Sequence, residues 1–253
     1  MLDILWKAFC GVILTQLYHA FRLKFRKVFF FKLFGGSVCE EESLSLIYSA
    51  YNINPNLQYP YGIPNGYPFI KPIATPYIPT NVYAIEHPVS SYEINAVKYL
   101  TILLADKFKI TPTVQSDLDT ADTSDLSYIA FGGPGSNIKS HQAIGHPDNK
   151  LLIFNNVAIT ELPSGRVLYN EIHGDIDYGI ILKVCPTEHN NRERVWIVCA
   201  GFGEWGTSGA AKYLSLNWRS IVRRYGKKPF ALVVQVRVGQ DDSAREVYSS
   251  PEY

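Results

Sequence analysis

A chain of 253 residues, 47% hydrophobic, is long and apolar enough to build one large α/β domain, alone or with an appendage. Its formal charge of +1 hides an asymmetry: residues 1–39 hold Lys7, Arg22, Lys24, Arg26, Lys27 and Lys32 against Asp3, a balance of +5 that leaves −4 for the rest. A net acidic body without a basic stripe argues against nucleic-acid recognition and assigns any acidic partner to the N-terminal segment.

That segment, residues 1–37, has its longest run free of Lys, Arg, Asp and Glu from Ala8 to Phe21, 14 residues. Roughly 20 are needed to cross a bilayer as a helix. The basic cluster follows the apolar run, which does not fit a signal peptide. Leu14, Leu17, Phe21, Phe25, Val28 and Phe29 share one helical face, with Arg22, Lys24, Arg26 and Lys27 largely on others. The pattern predicts an interfacial amphipathic helix, peripheral on the inner face of a membrane. A helix docked on the body, or an oligomer interface, fits the same pattern.

Residues 38–89 form a second region. Prolines at 55, 60, 64, 68, 72, 76, 79 and 88 alternate with Tyr59, Tyr61, Tyr67, Tyr77 and Tyr83. Proline fixes φ and removes donors, so neither helix nor central strand persists, while the aromatics argue against a solvated linker. We expect an ordered, extended strap across the body.

The body, residues 90–253, opens with Ser90 and Glu93 at capping-box spacing, and an apolar face from Tyr92 to Phe108 predicts a helix over 91–109. Residues 115–125 read as a polar surface loop. Leu126 to Phe131 reads as a strand ending in Gly132-Gly133-Pro134-Gly135-Ser136-Asn137. Leu151–Phe154 and the weaker Val167–Tyr169 read as strands of a β-rich insertion, and Tyr178–Val184 as a strong strand after it. Val195 to Ala200 is a buried strand that runs into Gly201, Gly203 and Gly206, and helical spacing follows from Ser208 to Tyr225. Phe230–Val238 closes the order as the last strand. The whole predicts an α/β, Rossmann-like three-layer body with a mostly parallel sheet.

The chemistry is expected at the two glycine loops. In open α/β sheets ligands bind beyond the carboxyl ends of strands, and a helix N-terminus attracts anions. The candidate ligand-binding residues are Gly132, Gly133, Gly135, Ser136 and Asn137 in the first loop. In the second they are Gly201, Gly203, Trp205, Gly206, Thr207 and Ser208. Glu204, inside the second loop, is the candidate catalytic acid or base. Asp177 in HGDIDYG could hold ribose hydroxyls or close an Asx turn. Neither loop is a P-loop, and the GxGxxG spacing of 201–206 lacks an acid about 20 residues on. The loops could equally serve only close packing. The four cysteines, Cys10, Cys39, Cys185 and Cys199, form no CxxC pair, and no histidines stand at zinc-ligand spacing, which points to free thiols, no metal site and a cytoplasmic compartment.

Phe131-Gly132-Gly133, followed by Gly201-Phe202-Gly203 and Gly206-Thr207, resembles the lysine-decarboxylase-like nucleotide-binding superfamily over about 126–226. Its members include cytokinin-activating nucleotide hydrolases and bacterial nucleotide-signal sensors. The resemblance implies a nucleotide-like ligand and leaves any cofactor open. The hydrolytic members carry an acid three positions after the loop threonine, where this chain has Ala210. The expected function is therefore a membrane-associated nucleotide-binding sensor or effector. The alternatives are a nucleotide hydrolase or N-glycosidase using Glu204, and a non-enzymatic interaction subunit.

Overall fold

A computed structural model describes residues 11–18, 28–36, 38, 44–50, 89–123, 125–155, 157–170, 174–187 and 193–251. The proline-tyrosine strap expected within 38–89 lies largely outside them. The elements run β1 (Ser45–Tyr48), α1 (Ser91–Leu103), β2 (Thr113–Ser116), β3 (Tyr128–Phe131), α2 (Ile138–Ile144), β4 (Leu152–Phe154), β5 (Ile159–Glu161), β6 (Val167–Tyr169), β7 (Ile176–Val184), β8 (Trp196–Gly201), α3 (Glu204–Tyr225), β9 (Phe230–Arg237) and β10 (Gln240–Ser249). Residues 11–18 and 28–34 are also helical.

The sheet order is β10-β9-β7-β8-β3-β1-β2, with β4-β5-β6 as a separate small sheet. β2, β1, β3 and β8 pair in parallel; β7 is antiparallel to both β8 and β9, and β10 to β9. Five strands thus point one way and two the other, the mostly parallel α/β arrangement the sequence predicts. Buried strands alternate between two cores, as the two-residue period requires. Ile197 and Cys199 of β8 and Phe230, Leu232 and Val234 of β9 face α1, α3 and Phe30, Leu33, Phe34 and Val38. Trp196, Val198 and Ala200, with Ala231 and Val233, face α2 and the small sheet. Three layers result.

β1, β2, β5, α2 and β10 depart from the expected element list. β1 is four residues long, inside the stretch read as strap, yet Leu46 and Ile47 are wholly buried between its parallel neighbours β2 and β3. β10 (QDDSAREVYS) reads as polar because it is an edge strand, half-buried, with two register shifts against β9. The helix predicted over 91–109 keeps α geometry to Leu103 and continues as a π turn over Leu104–Phe108, closed by Lys109 at φ 62°. The turn sets the Phe108 ring against Phe30, Phe34 and Trp218, with centroids 5.0, 6.1 and 4.8 Å away.

The N-terminal segment divides. Phe30, Leu33 and Phe34 are at most 2% exposed and belong to the core, and the Lys183 ammonium donates to the Lys32 carbonyl at 2.8 Å. Leu14 and Leu17 are 66% and 61% exposed; Phe21 and Phe25 lie outside the described residues. Of the predicted apolar face, Leu14, Leu17 and Val28 (47%) stand open and Phe29 packs partly buried on Trp218, so the docked surface is a different one, Phe30, Leu33 and Phe34, and the core begins inside the segment rather than after residue 37. No described helix is long and apolar enough to cross a membrane.

Removing two core phenylalanines and a leucine costs roughly 3–5 and 2–5 kcal/mol per site, comparable in sum to a domain's whole stability of about 5–15 kcal/mol. A chain beginning at residue 38 is therefore expected to lose its cooperative melting transition, while one beginning at residue 28 keeps it. Circular dichroism melts of the two compare them directly.

Candidate functional site

β3 and β8 are adjacent and parallel, so the loops that follow them leave the same end of the sheet. They enclose a crevice of about 250 Å³. Gly132, Gly133 and Ser136 line it from the first loop, Gly201, Gly203, Glu204 and Thr207 from the second, and Ser90, Tyr92 and Glu93 from the start of α1. Among the described residues no lysine or arginine lines it.

Glu93 is the centre of this arrangement. Its carboxylate accepts the Ser49 backbone N–H at 2.7 Å and the Ser49 hydroxyl at 2.9 Å, so it closes the end of β1. Ser90 caps α1 as the spacing predicts, accepting from the Tyr92 N–H. Glu93, however, crosses to Ser49 instead of turning back in a capping box. Burial raises its pKa to about 7, against the lowering effect of the two Ser49 hydrogen bonds; the negative charges of Asp117 and Glu204 push it further up. Gly132 is required here: its φ is +100°, and a Cβ would lie 2.7 Å from both Glu93 Oε1 and Ser49 Oγ. Glu204 is exposed at the first position of α3, with the Ser90 hydroxyl 3.4 Å from its Oε1.

The second loop is built by close packing. A Cβ on Gly179 of β7 would fall 2.1 Å from the Gly206 carbonyl oxygen, and one on Gly201 of β8 2.5 Å from Gly206 backbone atoms. The first turn of α3 therefore lies directly on the backbones of β7 and β8. Asp177, at the start of β7, is buried beneath that turn. Its carboxylate accepts the Gly206 N–H at 2.6 Å, the Gly203 N–H at 3.2 Å and its neighbour Tyr178's N–H at 2.7 Å. Burial raises its pKa, opposed by these three bonds. The helix-end N–H groups expected to meet a ligand at Gly203 and Gly206 are thus donated to a carboxylate of the chain itself.

The remaining expected ligand-binding residues divide similarly. Thr207 lines the crevice, whereas the Ser208 hydroxyl turns away to Asp241 Oδ1 at 2.6 Å. Trp205 packs edge-on against Tyr92, centroids 4.6 Å apart, at the side of the crevice. The buried Asn137 side chain accepts from the N–H groups of Lys139 and Ser140 and donates to the Ile47 and Phe131 carbonyls, tying α2 to β1 and β3. Gly135 is exposed at the outer edge of its turn. Asp117 occupies the start of α2, accepting from the Ile138 and Ala50 N–H groups. Among the described residues no three His, Cys, Asp or Glu side chains are grouped to hold a metal, and Cys185 and Cys199 are free thiols.

No family model matches the chain, and no curated protein or solved structure is significantly similar to it.

Glu93 gives a stability signature. Its folded pKa of about 7 stands above the unfolded 4.5, so the folded state binds the extra proton between these values. Stability from this group is complete below pH 4.5, falls as the pH rises through the window, and is lost above pH 7. The expected difference is about 3 kcal/mol across that range. Denaturant melts of wild type and Glu93→Gln at pH 4.5 and 7.5 should show the wild type losing this amount relative to the variant; parallel pH profiles would refute the assignment.

Proposed function

We propose that the crevice holds the sugar of a nucleotide-like ligand and hydrolyses its N-glycosidic bond, with Glu93 as general acid and Glu204 as the charge-stabilising carboxylate. The observation that carries this reading is Glu93, a buried carboxyl group lining the crevice between two glycine loops, its pKa pushed up to about 7 by burial. A general acid works best with a pKa near the operating pH. Pairs of carboxyl groups in different environments divide the tasks of glycoside cleavage. Ser90, Ser136 and Thr207 offer hydroxyl partners to a polyol, and the lack of lining cations favours a sugar over a phosphate at this point. The volume, below the roughly 300–1,000 Å³ of most small-molecule sites, suits one sugar with its base reaching outward to Trp205 and Tyr92. In the reaction the bond to the base nitrogen breaks as the Glu93 proton leaves with the base, water adds to the anomeric carbon, and the proton that the water sheds returns to the Glu93 carboxylate.

The second reading is a sensor that binds the same ligand without turnover. It is favoured by Ala210, buried where the hydrolytic relatives suggested by the sequence carry an acid. The N-terminal segment supports the companion proposal of peripheral attachment to an anionic membrane at the cytoplasmic face. Val12, Leu14, Leu17 and Tyr18 stand exposed beside a segment rich in lysine and arginine.

Incubation with a panel of nucleosides and nucleotides, read by chromatography for released base, tests the reading. Glu93→Gln is expected to lower turnover at least about 10²-fold, the usual worth of general acid catalysis, and to keep ligand-induced thermal stabilisation. Glu204→Gln should lower turnover without abolishing binding. Stabilisation without released base in the wild type would select the sensor; neither effect would exclude both.

Flotation with vesicles containing anionic lipid tests the attachment. The full chain should float and a chain beginning at residue 28 should stay in solution; equal behaviour of the two would overturn it.

A further inference from the structure

A second cavity, of about 320 Å³, opens at the other end of the sheet from the glycine loops, where β7 ends and β8 begins. Among the described residues four cations line it, Lys32, Lys183, Arg194 and Lys227, against a single carboxylate, Glu193. Their situations differ. Arg194 is paired with Asp125 at 2.6 Å. Lys227 reaches Glu193 at 3.2 Å while lying 3.7 Å over the Phe31 ring. Both members of the Lys227–Glu193 pair are about half exposed, and such pairs hold weakly.

Lys183 is different. It is 1% exposed, and among the described residues its ammonium donates one hydrogen bond, to the Lys32 carbonyl at 2.8 Å, in the last turn of the helical residues 28–34. That carbonyl satisfies one of three donors. It contributes a helix-end partial charge, not a full counter-charge. Burial holds the Lys183 amine down to about 8, which still leaves it cationic at neutral pH. A buried cation that faces a cavity and has no carboxylate in contact among the described residues is costly unless an anion completes it.

We propose that this cavity binds a small phosphate-type oxyanion, with Lys183 at its floor, Lys227 at its rim and Glu193 as the internal competitor that the anion displaces from Lys227. The site is separate from the glycine-loop crevice and independent of the reading given to it. The cavity walls join the N-terminal helical residues to β7, β8 and the segment after α3, so an occupant would tie residues 31–35 to the body.

Pyrophosphate titrated into the full chain, followed by NMR of ε-13C-labelled lysines, tests the proposal. The Lys183 resonance, recognised by its titration near pH 8, should shift saturably, and its titration should move upward as the anion binds. Lys183→Met, which replaces the buried cation with an apolar side chain of similar length, should weaken binding at least about tenfold, the loss of a charged hydrogen bond. If that variant fails to fold, two surface changes decide the matter: Lys227→Met should weaken binding and Glu193→Gln should tighten it. A Lys183 resonance that does not move, or affinities equal in the Lys227 and Glu193 variants and the wild type, would overturn the site.

Discussion

The contact between the first turn of α3 and the backbones of β7 and β8 governs the rest of the architecture. Helices normally stand off a sheet by the length of their side chains. Here Gly179, Gly201 and Gly206 remove three of them at one point, and any Cβ there would collide with backbone rather than with a movable side chain. Lowering the helix end onto the sheet buries its N–H groups, which then require acceptors. Asp177 supplies them. It can do so because β7 runs against β8, so the beginning of one strand and the end of the other reach the same end of the sheet. Close packing, helix-end charge and strand direction are thus one solution to one problem.

The same solution repeats nearby with different residues. Asp117 meets the start of α2, and Glu93 meets the end of β1. Three carboxyl groups from three segments satisfy the N–H groups at the sheet end where the two glycine loops lie. Two of them, Glu93 and Asp177, are held above their ordinary range by burial, the larger influence in each case. The end of the sheet is therefore pre-loaded with negative or proton-bearing groups, which shapes what it can admit.

Much of the architecture was legible because buried strands and long amphipathic helices write their periods plainly. FALVVQVRV and VWIVCA needed no context, whereas the adjacency of β3 and β8 that brings FGGPGSN and GFGEWGT to one crevice is set by the sheet order, which local sequence does not encode. The short or polar elements were not legible. β1 has four residues and no turn signals of its own, and β10 carries its charges because one side is open. Within the site, Glu204 and the glycines stood out by loop composition. Glu93 did not, because its spacing from Ser90 matches a capping box, and only the three-dimensional neighbour Ser49, 44 positions away, draws it elsewhere. Asp177 was visible as a candidate, but its partners at Gly203 and Gly206 depend on strand direction, which local sequence does not encode. The N-terminal apolar face was similarly ambiguous, since burial in a core and exposure to a partner select the same residues.

The two rims of the sheet have a consequence for assembly. β10 presents Asp241, Asp242, Arg245 and Glu246 along a strand whose register breaks twice, so its outward backbone groups do not form a straight ladder for another chain to join. β2, at the opposite rim, is only four residues long. Neither margin offers a long flat template, and the sheet ends within its own protomer. Joining of copies edge to edge is therefore disfavoured, which keeps the strand ends, where both cavities open, clear of any continuous sheet between protomers.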